Sequence, residues 1–155
     1  MNKQTGFTLL ELLVTLSIIG ILTATALPVY NTWQSRARGT EAALMIKQIM
    51  EAQIMYFLEH EKFFPEDEDD NSIEIYHDTA PDHIDIKELE EKLHVLIPTG
   101  HFLEYTLTSN NTSVPADKKS FTLAISEYYG RELFKDVSLV ISMIDENGEV
   151  TTNVL

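Results

Sequence analysis

The sequence predicts an α+β protein: a long N-terminal helix, membrane-spanning in its first half, packed on a small antiparallel β-sheet. Three observations predict it. The run from Phe7 to Tyr30 is apolar or small-hydroxyl throughout, with Glu11 as its one charge. Apolar residues at helical spacing continue past that run to about Lys62. The last third of the chain alternates apolar and polar residues between turn signals. A chain of 155 residues has room for one domain with a modest core.

Residues 1–6 are polar, with one cation at Lys3. From Leu12 to Ser35 there is no charge at all. At about 1.5 Å per residue this stretch can cross a hydrocarbon core of roughly 30 Å. Its Ser and Thr hydroxyls can bond back to the preceding helical turn. Three readings compete: a cleaved secretory signal, an uncleaved signal anchor, and a leader cut ahead of the helix. Ala24-Thr25-Ala26 offers the small-residue pattern for the first, which would leave a soluble domain starting at Leu27. Glu11 separates the three. A carboxylate in a hydrophobic span costs about 2.5–3.5 kcal/mol at the bilayer centre and less near the interface, so it needs a named partner. A cut between Gly6 and Phe7 would supply one, because the new α-amino group would stand one helical turn from Glu11. Between neighbouring copies, the amine of one could meet the carboxylate of the next.

The run Gly6-Phe7-Thr8-Leu9-Leu10-Glu11-Leu12-Leu13-Val14, followed by Ile18-Ile19-Gly20-Ile21-Leu22 and then Pro28, resembles the N-terminal signature of type IV pilins and of type II secretion pseudopilins. The resemblance covers about the first thirty residues. It implies a pilin fold, with residues 1–6 as a prepilin leader removed after Gly6 and Phe7 as the methylated new N-terminus. It implies Glu11 as the assembly glutamate and Pro28 as the proline that opens the helix. The implied partners are other copies in a homo-oligomeric helical filament, other pilins, prepilin peptidase, an inner-membrane assembly platform, and the membrane before assembly. The implied location is the bacterial inner membrane as precursor, then an extracellular or periplasmic filament. Orientation is taken from the resemblance, since Arg36 and Arg38 follow the apolar run and the leader carries only Lys3.

Pro28 removes a backbone donor and crowds the preceding turn, yet helical periodicity resumes after it, so the helix is expected to continue. Residues 7–30 form its membrane and assembly half, and residues 31–64 its amphipathic half. There Ala42, Ala43, Ile46, Ile49, Met50, Gln53, Phe57 and Phe64 make the main apolar stripe. Leu44, Met45, Ala52 and Met55 form a weaker second group, suited to a neighbouring helix. A helix from Phe7 to Lys62 would be on the order of 80 Å long, more than a chain this size can cover.

Residues 65–101 read as an acidic loop and a short helix. Glu66 to Asp70 is a like-charge run expected to be solvated. Asp67, Asp69, Asn71 and Asp78 partly match a calcium loop, but Ser72 stands where that loop needs glycine and Asp78 is shorter than its glutamate. The segment Asp85–Leu93 is amphipathic, with Asp85 as the expected cap and Ile97-Pro98 and Gly100 as the stop. Residues 102–155 read as the sheet. Leu103, Tyr105 and Leu107 alternate with Glu104 and Thr106, and Phe121, Leu123 and Ile125 with Thr122 and Ala124. Leu139, Ile141 and Met143 alternate with Val140 and Ser142, and Asn147-Gly148 turns the chain into Val150–Val154. The sequons within Asn110-Asn111-Thr112-Ser113 are read as loop residues.

The formal net charge of −14 disfavours nucleic acid and anionic headgroups. With no cysteine there is no disulfide, thiol nucleophile or Cys-ligated metal, and the five histidines show no ligand spacing. No Gly-rich phosphate loop or Ser/His/Asp context points to an enzyme, and no cofactor is expected. A structural pilus subunit and a type II secretion pseudopilin both remain open.

Overall fold

The computed structural model describes residues 6–66, 71–111, 119–128, 133 and 137–155. The chain divides into two compact units, Met1–Gln34 and Ser35–Leu155.

Helix α1 spans Leu9–His60, 52 residues with Pro28 inside, so helix formation does continue past the proline. Thr8 starts it. Its hydroxyl accepts from the Glu11 N–H at 3.3 Å and its carbonyl from the Leu12 N–H at 3.2 Å. Thr8 and Glu11 thus stand at the spacing of a capping box. In the first unit the hydroxyls turn inward to the backbone as expected. Thr15 donates to the Leu12 carbonyl, Ser17 to Leu13 and Thr23 to Ile19, each at 2.8 Å. These bonds hide the polar groups, and every residue from Gly6 to Trp33 is exposed.

The second unit holds the core. Arg38, Ala42, Met45, Ile49, Met50, Gln53 and Tyr56 are the buried positions of α1 here, together with Gly39. Met45 therefore lies in the core and Ala43 outside it, the reverse of the sequence expectation. At 100° per residue, Met45 and the half-buried Ala52 fall on the rim of the main stripe, while Leu44 and Met55 fall opposite it.

The sheet has five antiparallel strands in sequential order: β1 (Ser72–Ile75), β2 (Leu103–Asn110), β3 (Ser120–Glu127), β4 (Leu139–Asp145) and β5 (Val150–Val154). β1 falls in the segment expected to be loop. It is short, but Ile73 and Ile75 are buried opposite Leu107 and Tyr105. β2 and β3 bury the expected faces, Leu103-Tyr105-Leu107 and Phe121-Leu123-Ile125. β4 buries the other face: Val140, Ser142 and Ile144 point inward, and Met143 is exposed. Both parities of β4 carry apolar residues, so alternation alone could not choose. Pairing does, since Phe121 is opposite Ile144 and Ile125 is opposite Val140. Gly148, at φ 79°, makes the tight turn into β5 that the Asn-Gly pair requires.

Helix α2 spans Ile84–Leu93 and buries Ile86, Leu89 and Leu93. Its cap is His83 rather than Asp85: the His83 ring nitrogen accepts from the Asp85 N–H at 3.4 Å. His94, in the left-handed conformation, ends the helix before Ile97-Pro98 is reached.

Tyr105 is 1 % exposed, and its hydroxyl donates to Glu41 Oε1 at 3.2 Å. Burial, then the charge of Glu41, pushes its ionisation far above the ordinary phenol value of 10.0. Tyr56 is raised in the same way by burial and by its bond to Glu66 at 2.5 Å. A raised phenol favours the neutral form in the folded state. The associated stability is therefore complete below about pH 10 and is lost as pH climbs above it. Tyr105→Phe should cost about 1 kcal/mol at neutral pH. It should also flatten the alkaline limb of a stability-against-pH curve measured by urea unfolding. A parallel limb in the variant would rule Tyr105 out as its source.

Candidate functional site

The N-terminal site is linear, so its geometry is that of one exposed turn. Gly6 and Phe7 lie ahead of α1 in non-helical backbone. Nothing approaches within 4 Å of a side chain built on Gly6, and Phe7 is 72 % exposed. Among the described residues nothing shields the bond between them from a cutting enzyme. Glu11 is exposed in the first turn of α1, and its carboxylate has no hydrogen bond or ion pair among the described residues. The helix has an apolar window long enough to cross a membrane, none of it buried. A discarded signal sequence passes the same test, so the helix alone does not separate the readings.

The calcium-loop expectation gains no geometry. Asp67 and Asp69 lie outside the described residues. Asn71 donates to the Ser109 carbonyl at 3.0 Å, and Asp78 is an exposed residue beside His77. Among the described residues no group of three or more His, Asp or Glu side chains is placed to hold a metal ion.

Two features escaped the sequence reading. Arg38 and Glu127 form a buried ion pair through Arg38 Nη1 and Glu127 Oε1. The guanidinium carbon also lies 5.3 Å from the centre of the Phe102 ring, within cation–π range. Arg38 Nε and Glu127 Oε2 are buried without a hydrogen-bond partner among the described residues. The second feature is a pair of amides around the exit from α1. Gln53 Nε2 donates to the Phe64 carbonyl at 2.7 Å and Gln53 Oε1 accepts from the Phe64 N–H at 3.0 Å. Asn111 does the same for Phe63, its Oδ1 accepting from the N–H and its Nδ2 donating to the carbonyl, both at 2.8 Å. The Asn111 amide is thus committed to internal bonds.

The family model for the prokaryotic N-terminal methylation motif matches residues 1–27. The same segment holds the exposed Gly6–Phe7 bond and Glu11. The N-terminal part of the chain is type IV pilin-like. It is 43 % identical over 60 residues to the type IV major pilin protein PilE1 of Neisseria gonorrhoeae, covering 39 % of this chain and 36 % of that one. It is 38 % identical over 61 residues to the type IV major pilin protein PilA of Myxococcus xanthus, covering 39 % and 28 %. It is 55 % identical over 42 residues to a fimbrial protein of Moraxella nonliquefaciens, covering 27 % of each. The matched part spans about a third of the length of the first of these pilin relatives. The relatives bear the names of pilins and fimbrial proteins rather than of enzymes. No solved structure matches the chain. The pilin-like likeness therefore rests on the N-terminal motif and on the α+β layout of a long helix with an antiparallel sheet.

Proposed function

We propose that this chain is a structural subunit of a type IV pilus-like filament. In this reading prepilin peptidase cuts after Gly6, Phe7 is methylated, and the processed chain waits in the inner membrane by its apolar helix. An assembly platform then adds it to a filament containing copies of itself and other pilins. Each Glu11 neutralises the α-amino group of a neighbour, and Pro28 lets the helix open locally. The observation that carries the reading is the methylation motif falling on an apolar helix whose every residue through Trp33 is exposed. Such a surface in water aggregates unless lipid or other copies cover it. Further along α1, Leu44, Met55 and Leu58 are exposed on one side and offer the same kind of cover to a second helix.

The test is intact mass and N-terminal sequencing of the protein from native membranes and from sheared fibres. The expected species starts at Phe7 and carries one added methyl group. A species starting at Leu27 would make the helix a discarded signal and end the filament reading. The same motif serves pseudopilins of type II secretion, so a deletion strain decides between the two. Loss of surface fibres is expected here, whereas loss of exoprotein secretion with fibres intact would assign the secretion role.

A further inference from the structure

We infer that β5 is a self-pairing edge, which joins two copies of this chain as antiparallel strands about a two-fold axis through Thr152. β5 is the outer strand of the sheet, and every residue in it is exposed. Val150 and Val154 lie on the same face as the buried Val140 and Ile144, yet they remain 46 % and 55 % exposed. The core elements stop short of this strand.

Edge strands are normally guarded by charge, proline or a bulge. From Val150 to Leu155 there is no charged side chain and no proline, and the β4–β5 register is continuous. The opposite edge strand, β1, carries Glu74. The unguarded edge lies in a chain of formal net charge −14.

The occupant follows from the segment itself. Val150-Thr151-Thr152-Asn153-Val154 is nearly a palindrome. Antiparallel to its own copy, Val150 meets Val154, Thr151 meets Asn153, and Thr152 meets itself. Glu149 then faces Leu155 rather than the other Glu149. The backbone agrees with this register. Leu155 exchanges both bonds with Leu139, at 2.8 and 3.0 Å, and the Asp145 N–H donates to the Glu149 carbonyl. Hydrogen-bonded pairs alternate along an antiparallel ladder, so Thr151 and Asn153 spend their groups on β4. Val150, Thr152 and Val154 then present their N–H and C=O groups to the open side. These are the residues the palindrome pairs, which gives about six backbone hydrogen bonds across the axis. The two valine pairs cover the apolar face that the core leaves bare.

One strand pair buries less than the roughly 1,200–2,000 Å² of a standard stable interface, so the contact is weak singly and strong when copies are arrayed. A two-fold contact cannot repeat within a polar filament. On the filament reading it would tie antiparallel filaments side by side, but the pairing itself does not rest on that reading.

The test uses the full chain in detergent micelles, where native cysteine is absent. Thr152→Cys should oxidise to a disulfide-linked dimer with copper phenanthroline, because Cα atoms about 5.5 Å apart lie within disulfide range. Thr151→Cys sits off the axis and should crosslink at least about fivefold more slowly. Adding Val150→Glu with Val154→Glu to the Thr152→Cys chain should reduce its rate to the Thr151→Cys level. Val150→Lys with Val154→Glu should restore it, by setting each Lys opposite a Glu. Rescue by an equally disruptive pair of substitutions separates repulsion from misfolding. Equal rates at positions 151 and 152, or failure of the Lys–Glu pair to rescue, would overturn the proposal.

Discussion

Glu127→Ala is expected to destabilise the Ser35–Leu155 unit by about 3–5 kcal/mol, since removing one partner of a buried ion pair strands the other charge in the core. Arg38 is 8 % exposed and Glu127 5 % exposed, so water cannot replace the lost partner without opening the fold. Arg38→Ala should cost a similar amount and should also remove the guanidinium from the Phe102 ring. The joint change Arg38→Met with Glu127→Leu should behave differently. It removes both charges and fills the space, and such replacements are often neutral or stabilising by about 1–4 kcal/mol. Two buried polar atoms of this pair lack hydrogen-bond partners among the described residues, which favours the apolar replacement further. Urea unfolding of the four proteins measures all of this. Additive losses in the double variant would show that each residue acts alone and that the pair is not the unit.

On the filament reading proposed above, Glu11→Ala should leave processing largely intact and impair assembly. Cells should accumulate a chain that starts at methylated Phe7 in the membrane, with few fibres. Truncating one side of a buried charge pair costs about 2–5 kcal/mol. That is on the order of 30-fold or more in the equilibrium for adding a subunit. Glu11 also stands three residues after Thr8, whose hydroxyl accepts the Glu11 N–H, so a local role must be distinguished from an intersubunit one. Glutamine fills the capping role as well as glutamate but carries no charge. Glu11→Gln should therefore fail to assemble as Glu11→Ala does. Normal fibre yield from Glu11→Gln would move the residue's role to the start of its own helix.

Much of this fold was legible because its periodicities were unambiguous. Leu103-Tyr105-Leu107 and Phe121-Leu123-Ile125 are interleaved with Glu104, Thr106, Thr122 and the small Ala124, so one face is clearly the more apolar. The buried face of β4 was not legible, because Val140 and Ile144 compete with Leu139, Ile141 and Met143 on equal hydrophobic terms. β1 was hidden by its shortness and by the acidic run before it. The buried ion pair left a signal that could have been followed. Arg38 lies one turn before Ala42 on the buried stripe, and Glu127 lies two residues after Ile125 on the inward parity of β3. Two opposite charges, each at an inward position of its own element, are best accommodated together. Asn111 left no comparable trace, since its partners are backbone groups of residues 48 positions away.

The two amides that close the exit from α1 have a consequence for how the chain matures. Gln53 and Asn111 tie Phe63 and Phe64 to the helix and to the end of β2 with paired hydrogen bonds. These ties form as the chain folds and have no oxidation state. No oxidant has to be delivered to complete the fold, no mispaired isomer has to be unscrambled, and a thiol reductant finds nothing to open. The head should hold the same fold on the reducing and the oxidising side of a membrane.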